Sequence, residues 1–93
     1  MIKVTKSAAE QIIASAKEGG TENMALRLAA KQLPDGSFDY GMGFDEVKED
    51  DLTYNCEGIE VVFQPEYGPM LSGAVLDYVE MEPGEHRFIF MNP

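Results

Sequence analysis

The chain has 93 residues, 44% apolar and 26% charged, which is enough for one domain with a thin core and too few for two. Seventeen acidic residues against seven basic ones leave a net charge of −10. That balance sets the chain against nucleic-acid phosphates and anionic membranes, both of which are bound chiefly through Lys and Arg. It favours basic partner proteins, although acidity also simply keeps a small domain in solution. The single cysteine, Cys56, excludes an internal disulfide and any four-thiolate zinc or iron–sulfur site built by one chain. No window approaches the ~18 apolar residues of a membrane helix. The Met1–Lys6 start lacks the apolar stretch of a signal peptide, so a cytoplasmic location is expected.

In chain order, Ile2-Lys3-Val4 alternates and reads as a short strand. Ser7-Ala8-Ala9-Glu10 has capping-box spacing and predicts a helix from about Ser7 to Lys17 or Glu18. Ala9, Ile12, Ile13 and Ala16 form its apolar stripe, and Gly19-Gly20 ends it. From Asn23 onward the pattern is β. Leu26 and Leu28 alternate with Arg27 and Ala29. Pro34-Asp35-Gly36 is a turn, and Phe38, Tyr40, Met42 and Phe44 share a strand face opposite Asp39, Gly41, Gly43 and Asp45. Asp45 to Asp51 reads as a charge-dense surface loop. Leu52, Tyr54 and Cys56 then face Ile59, Val61 and Phe63 across a Glu57-Gly58 turn. Pro65 to Leu71 predicts a short helix, Leu76–Val79 a strand, Pro83-Gly84 a turn, and His86–Phe90 a last strand. The fold class is therefore mainly β (α+β): a compact β-sandwich or barrel-like single domain over 1–93, with one N-terminal helix and a short helix near 65–71.

No residue pattern reaches the standard of an active site, and no catalytic or cofactor-binding residue is assigned. Cys56 sits with Leu52 and Tyr54 on an apolar face, where a thiol usually behaves as a small hydrophobe. A half-exposed position beside the turn, linking two chains, is the alternative. His86, the one histidine, shares a strand face with Phe88 and Phe90 and reads as a strand-edge residue. The acidic loop lacks the residue order of a calcium loop and reads as solvated surface. Gly41 and Gly43 alternate within a strand rather than opening a helix, so they point to close packing or a bulge rather than a phosphate cradle.

Several blocks together resemble the HesB/IscA family, the A-type iron–sulfur carriers. They are Val4-Thr5-Lys6-Ser7-Ala8-Ala9, Leu26-Arg27-Leu28, the Phe38, Tyr40, Phe44 strand, Gly58-Ile59-Glu60-Val61-Val62, Leu71-Ser72-Gly73, Leu76-Asp77-Tyr78-Val79 and the closing Phe88, Phe90, Asn92-Pro93. The resemblance implies a compact β domain with an N-terminal helix. It also implies three cysteine ligands, one in a Gly-Cys-Ser-Gly segment before the aromatic strand and two in a Cys-Gly-Cys beyond the Asn-Pro. The first of these falls on Asp35, in Pro34-Asp35-Gly36-Ser37. The other two fall past Pro93, where a tail is expected to be missing, and Cys56 matches neither position. Within the family, Arg27-Leu28-Ala29-Ala30, Pro34-Asp35-Gly36-Ser37 and Met42-Gly43-Phe44-Asp45 resemble a cysteine-poor, DsrR-like subgroup linked to sulfur metabolism.

The resulting expectation is a non-catalytic accessory or protein-binding module that has lost its cluster ligands, carries no cofactor and binds neither nucleic acid nor membrane. Its partner is another protein, contacted through Glu46, Glu49, Asp50, Asp51 and Met91, and a homodimer is left open. The alternative is a genuine iron or cluster donor with mixed ligands, Asp35, Cys56 and His86, shared between chains.

Overall fold

The computed structural model describes residues 2–92; Met1 and Pro93, the last residue of the Asn-Pro block, lie outside it. The elements are β1 (Lys3–Val4), α1 (Lys6–Gly19), β2 (Ala25–Gln32), β3 (Phe38–Asp45), β4 (Leu52–Cys56) and β5 (Ile59–Phe63). A 3-10 turn (Pro65–Tyr67) and α2 (Gly68–Leu71) follow, then β6 (Val75–Glu82) and β7 (Glu85–Met91). The strands form two sheets, ordered β1–β6–β7 and β3–β2–β5–β4. Neither closes on itself, so the architecture is an open two-sheet arrangement rather than a barrel. No described helix is long and apolar enough to cross a membrane.

The hairpins form where the turn chemistry places them. In the β4–β5 turn both central residues have positive φ, Glu57 at 52° and Gly58 at 82°. That is the geometry whose twist matches the flanking strands. The ladder then sets Leu52 opposite Phe63, Tyr54 opposite Val61 and Cys56 opposite Ile59. Leu26, Leu28 and Ala30 of β2 likewise lie opposite Phe44, Met42 and Tyr40 of β3. These inner faces, with Ile2, Val4, Ala8, Ala9, Ile12, Leu71, Ala74 and Leu76, make one core shared by both sheets and α1. Tyr40 stacks on Phe90 at a centroid distance of 4.8 Å, and so joins β3 to β7 across the two sheets.

Two expectations for the helix are corrected. Its N-cap is Thr5, whose side-chain oxygen accepts a hydrogen bond from the Ala8 amide at 3.1 Å and whose hydroxyl donates to Asp77 at 2.7 Å. Ser7 lies inside the first turn and donates to the Tyr78 carbonyl instead. The buried stripe is Ala8, Ala9 and Ile12, whereas Ile13 is 42% exposed and Ala16 only half-buried. The helix lies close against β6, and small residues allow that approach; a pattern weighted by large apolar residues picks Ile13.

Thr5→Ala is expected to lower unfolding stability by about 1 kcal/mol in urea titration, and Ser7→Ala by less than about 0.5 kcal/mol. Leu76→Ala, at a fully buried core position, is expected to cost ~2–5 kcal/mol. Equal losses from Thr5→Ala and Ser7→Ala would contradict the cap assignment.

Candidate functional site

Two places hold the polar groups that the sequence singles out: the β2–β3 turn and the acidic segment after β3. In the turn, the Gly36 amide donates to the Leu33 carbonyl at 2.9 Å and the Leu33 amide to the Ser37 carbonyl at 2.7 Å. Gly36 supplies the positive φ, 89°, that lets the chain re-enter a strand. Asp35 Oδ1 accepts from both the Ser37 hydroxyl (2.6 Å) and the Ser37 amide (3.0 Å). The hydroxyl bond first, and the amide bond second, hold the Asp35 carboxyl below the usual carboxylate range. Asp35 is exposed, yet its carboxylate is employed in the turn itself. The C-terminal block is anchored beside the same strand pair. Asn92 donates through Nδ2 to the Tyr40 hydroxyl at 3.0 Å and to the Met70 carbonyl at 3.3 Å.

The acidic segment is more than a solvated loop. β3 and β4 are the two edges of one sheet, so residues 46–51 must cross β2 and β5 to join them. Three inter-strand gaps come to roughly 14 Å, and six extended residues reach about 20 Å. The crossing therefore has room for a turn, in which the Asp51 amide donates to the Lys48 carbonyl at 3.1 Å. Arg27, projecting from the outer face of β2, pins it. Its Nη1 and Nη2 donate to the two Asp51 oxygens at 2.8 and 2.6 Å, Nε donates to Asp45 at 2.7 Å, and Nη2 also donates to the Glu46 carbonyl at 3.0 Å. The Lys48 amide and the Gln64 side chain complete the shell around Asp51, whose side chain is 0% exposed. Val62, opposite Arg27 on this outer face, is fully buried. The Arg27 guanidinium holds the Asp51 carboxyl far below its ordinary range. The Glu46 amide, then Arg27, lower the Asp45 carboxyl as well.

Asp51 is thus enclosed and is not a contact residue as expected, while Glu46, Glu49 and Asp50 remain on the surface. Met91, 40% exposed, lies on β7 in the other sheet. Arg27 was not among the sequence candidates. Its partners lie 18 and 24 residues away, and no local pattern marks them.

The three residues of the mixed-ligand alternative sit on different elements. Cys56 is 9% exposed at the end of β4, its Sγ 3.9 Å from the Ile2 carbonyl, and burial followed by the Glu57 charge pushes its thiol up. His86 is exposed on β7, stacked on Tyr78, with Nε2 3.9 Å from a Glu80 oxygen. Among the described residues, no three of His, Cys, Asp and Glu come together as a group able to hold a metal ion. The donor set at the turn, one carboxylate already bonded to Ser37, does not fit an iron–sulfur cluster, which is held mainly by thiolates.

No family model matches the chain. It is similar to the iron–sulfur cluster insertion protein ErpA 2 of Methylococcus capsulatus, with 37% identity over 93 residues, 99% of this chain and 71% of that protein. Among solved structures, Escherichia coli SufA, involved in biosynthesis of iron–sulfur clusters, superposes with a TM-score of 0.80 at 26% identity, over 99% of this chain and 80% of that one. IscA with the [2Fe-2S] cluster shares the fold, with a TM-score of 0.75 at 23% identity, over all of this chain and 83% of that one.

The depressed Asp51 and Asp45 carboxyls predict the acid behaviour. A carboxylate held low in the folded state stabilises above its unfolded value, 3.8, and loses that contribution as pH falls through and below it. Urea midpoints measured from pH 7 to pH 3 are expected to be lower for Arg27→Gln at neutral pH, with the gap to the unsubstituted chain narrowing below about pH 4. A gap that stays constant across this range would contradict the pinning role.

Proposed function

The chain belongs to the HesB/IscA family of A-type iron–sulfur carriers, and from that premise we propose that it works without a cluster, as a non-catalytic cytoplasmic module acting by contact with another protein. The observation that carries this reading is the state of Asp35. The family resemblance puts the first cysteine ligand at this position, and the carboxylate there is bonded to the Ser37 hydroxyl and amide as part of an ordinary turn. A thiolate is a soft, polarisable donor that suits iron–sulfur chemistry, and a carboxylate is not. The one cysteine, Cys56, is packed into the core, and burial pushes its thiol up. What the chain keeps is the scaffold: the shared core, the hairpin and the Tyr40–Asn92–Met70 anchor. The sequence resemblance of Arg27-Leu28-Ala29-Ala30 and Pro34-Asp35-Gly36-Ser37 to the cysteine-poor subgroup supports a role in sulfur metabolism.

Anaerobic incubation with ferrous iron and sulfide, followed by desalting, is expected to leave no visible charge-transfer absorption and no bound sulfide. Cys56→Ser is expected to leave the metal content unchanged. A stoichiometric chromophore would overturn the reading, and one that vanished in Cys56→Ser would establish the mixed-ligand donor in its place.

A further inference from the structure

Among the described residues, β1, β3, β4 and β7 each have a free side. Unpaired strand edges invite a further strand, and native sheets guard them with shortness, basic residues, proline or bulges. Two of the four, β1 and β7, are guarded, and β4 is the shorter of the other two. β1 spans two residues and β4 five. The β6–β7 ladder is broken between Glu80 and Glu82, and β7 opens with exposed Glu85, His86 and Arg87. β3 is different. Its eight residues pair with β2 without a register shift, and it holds no lysine, arginine or proline.

The glycines of β3 add a second, independent observation. A glycine inside a strand costs roughly 0.5–1 kcal/mol relative to alanine. Neither Gly41 nor Gly43 has a positive φ, and a Cβ at either would meet no atom within 4 Å. This chain's backbone and packing therefore require neither. Bare strand backbone of this kind suits the close approach of another chain. With Ala29 they floor a shallow trough on the outer face, closed by Arg27 and Asp45 at one end and by Lys31 and Asp39 at the other. On the inner face Phe38 and Met42, each 37% exposed, overhang the core. Beyond Asp45 the edge ends at exposed Glu46, and the chain then turns back over β2 and β5, where Gln64 donates to Asp50 at 3.2 Å.

We propose that β3 is the acceptor edge for one extended segment of a partner protein, added antiparallel as an extra strand. Its inward apolar side chains extend the Phe38–Met42 face, and bulky outward ones lie across Gly41 and Gly43. Lysine or arginine at its N-terminal end meets Glu46, the exposed acid that directly follows β3. Main-chain bonds supply the affinity, and the trough and the acidic end supply the selection. A second copy of this chain fits less well: each copy carries −10, and β3 has no basic residue to offer that end. This proposal rests on the protein-contact reading above and gives the partner's chemistry.

The test uses the full chain, isotope-labelled, and a synthetic peptide with three N-terminal lysines followed by alternating Val and Tyr. Shift changes are expected to centre on residues 38–45. Replacing the lysines by glutamate is expected to weaken binding about tenfold, and methylating alternate peptide amides to abolish it. Gly41→Val/Gly43→Val is expected to be at least as stable as the original chain, because β-branched residues suit strands, yet to bind at least about tenfold more weakly. Shift changes confined to another surface, no binding at millimolar peptide, equal binding by the double variant or the methylated peptide, or sedimentation showing β3 already paired with a second copy would each overturn the proposal. A chain that captures the peptide and also assembles a cluster sinks the cluster-free reading alone; a cluster-free chain whose β3 ignores the peptide sinks the edge alone.

Discussion

The order β3–β2–β5–β4 puts the two strands joined by residues 46–51 at opposite edges of one sheet, and much else follows from that constraint. The connection has to traverse the outer face, and its own carboxylates would repel one another there without a fixed cation. Arg27 supplies that cation, and its planar fork suits a bidentate carboxylate in a way a lysine would not. With the segment held down, Val62 is buried on a face that would otherwise be wet, and β3 is left at the edge with its far side open. Of the five acids from Asp45 to Asp51, two, Asp45 and Asp51, are therefore internal wiring, and Glu46, Glu49 and Asp50 are surface.

The same geometry separates the two places where a carrier-type fold could act. The β2–β3 turn is closed by its own hydrogen bonds, with Asp35 serving Ser37. The strand leaving that turn is unguarded and carries two glycines that nothing within the chain explains. The turn and the strand that leaves it thus differ: one is closed on itself, and the other has an unpaired side.

Much of this was legible in the residues. Alternation assigned the inner faces of β2, β3, β4 and β5, because a half-buried strand imposes a period of two. The three glycine turns were legible because a positive φ leaves a compositional mark. The helix cap was misread by two residues, since Thr5 and Ser7 offer the same hydroxyl and only Asp77, far along the chain, tells them apart. The Arg27 cluster could not be read at all: it depends on which strands are neighbours, and strand order is not written in any local window. For the same reason the outer-face role of Asp51 was invisible, and it looked like one more surface acid.

The openness of β3 is the property on which the account turns, and amide hydrogen exchange on the free chain reads it directly. Across residues 38–45 the account predicts alternation, with amides bonded to β2 protected and those on the far side exchanging quickly. Uniform protection along the strand would mean that its outer side is already covered, and would contradict it.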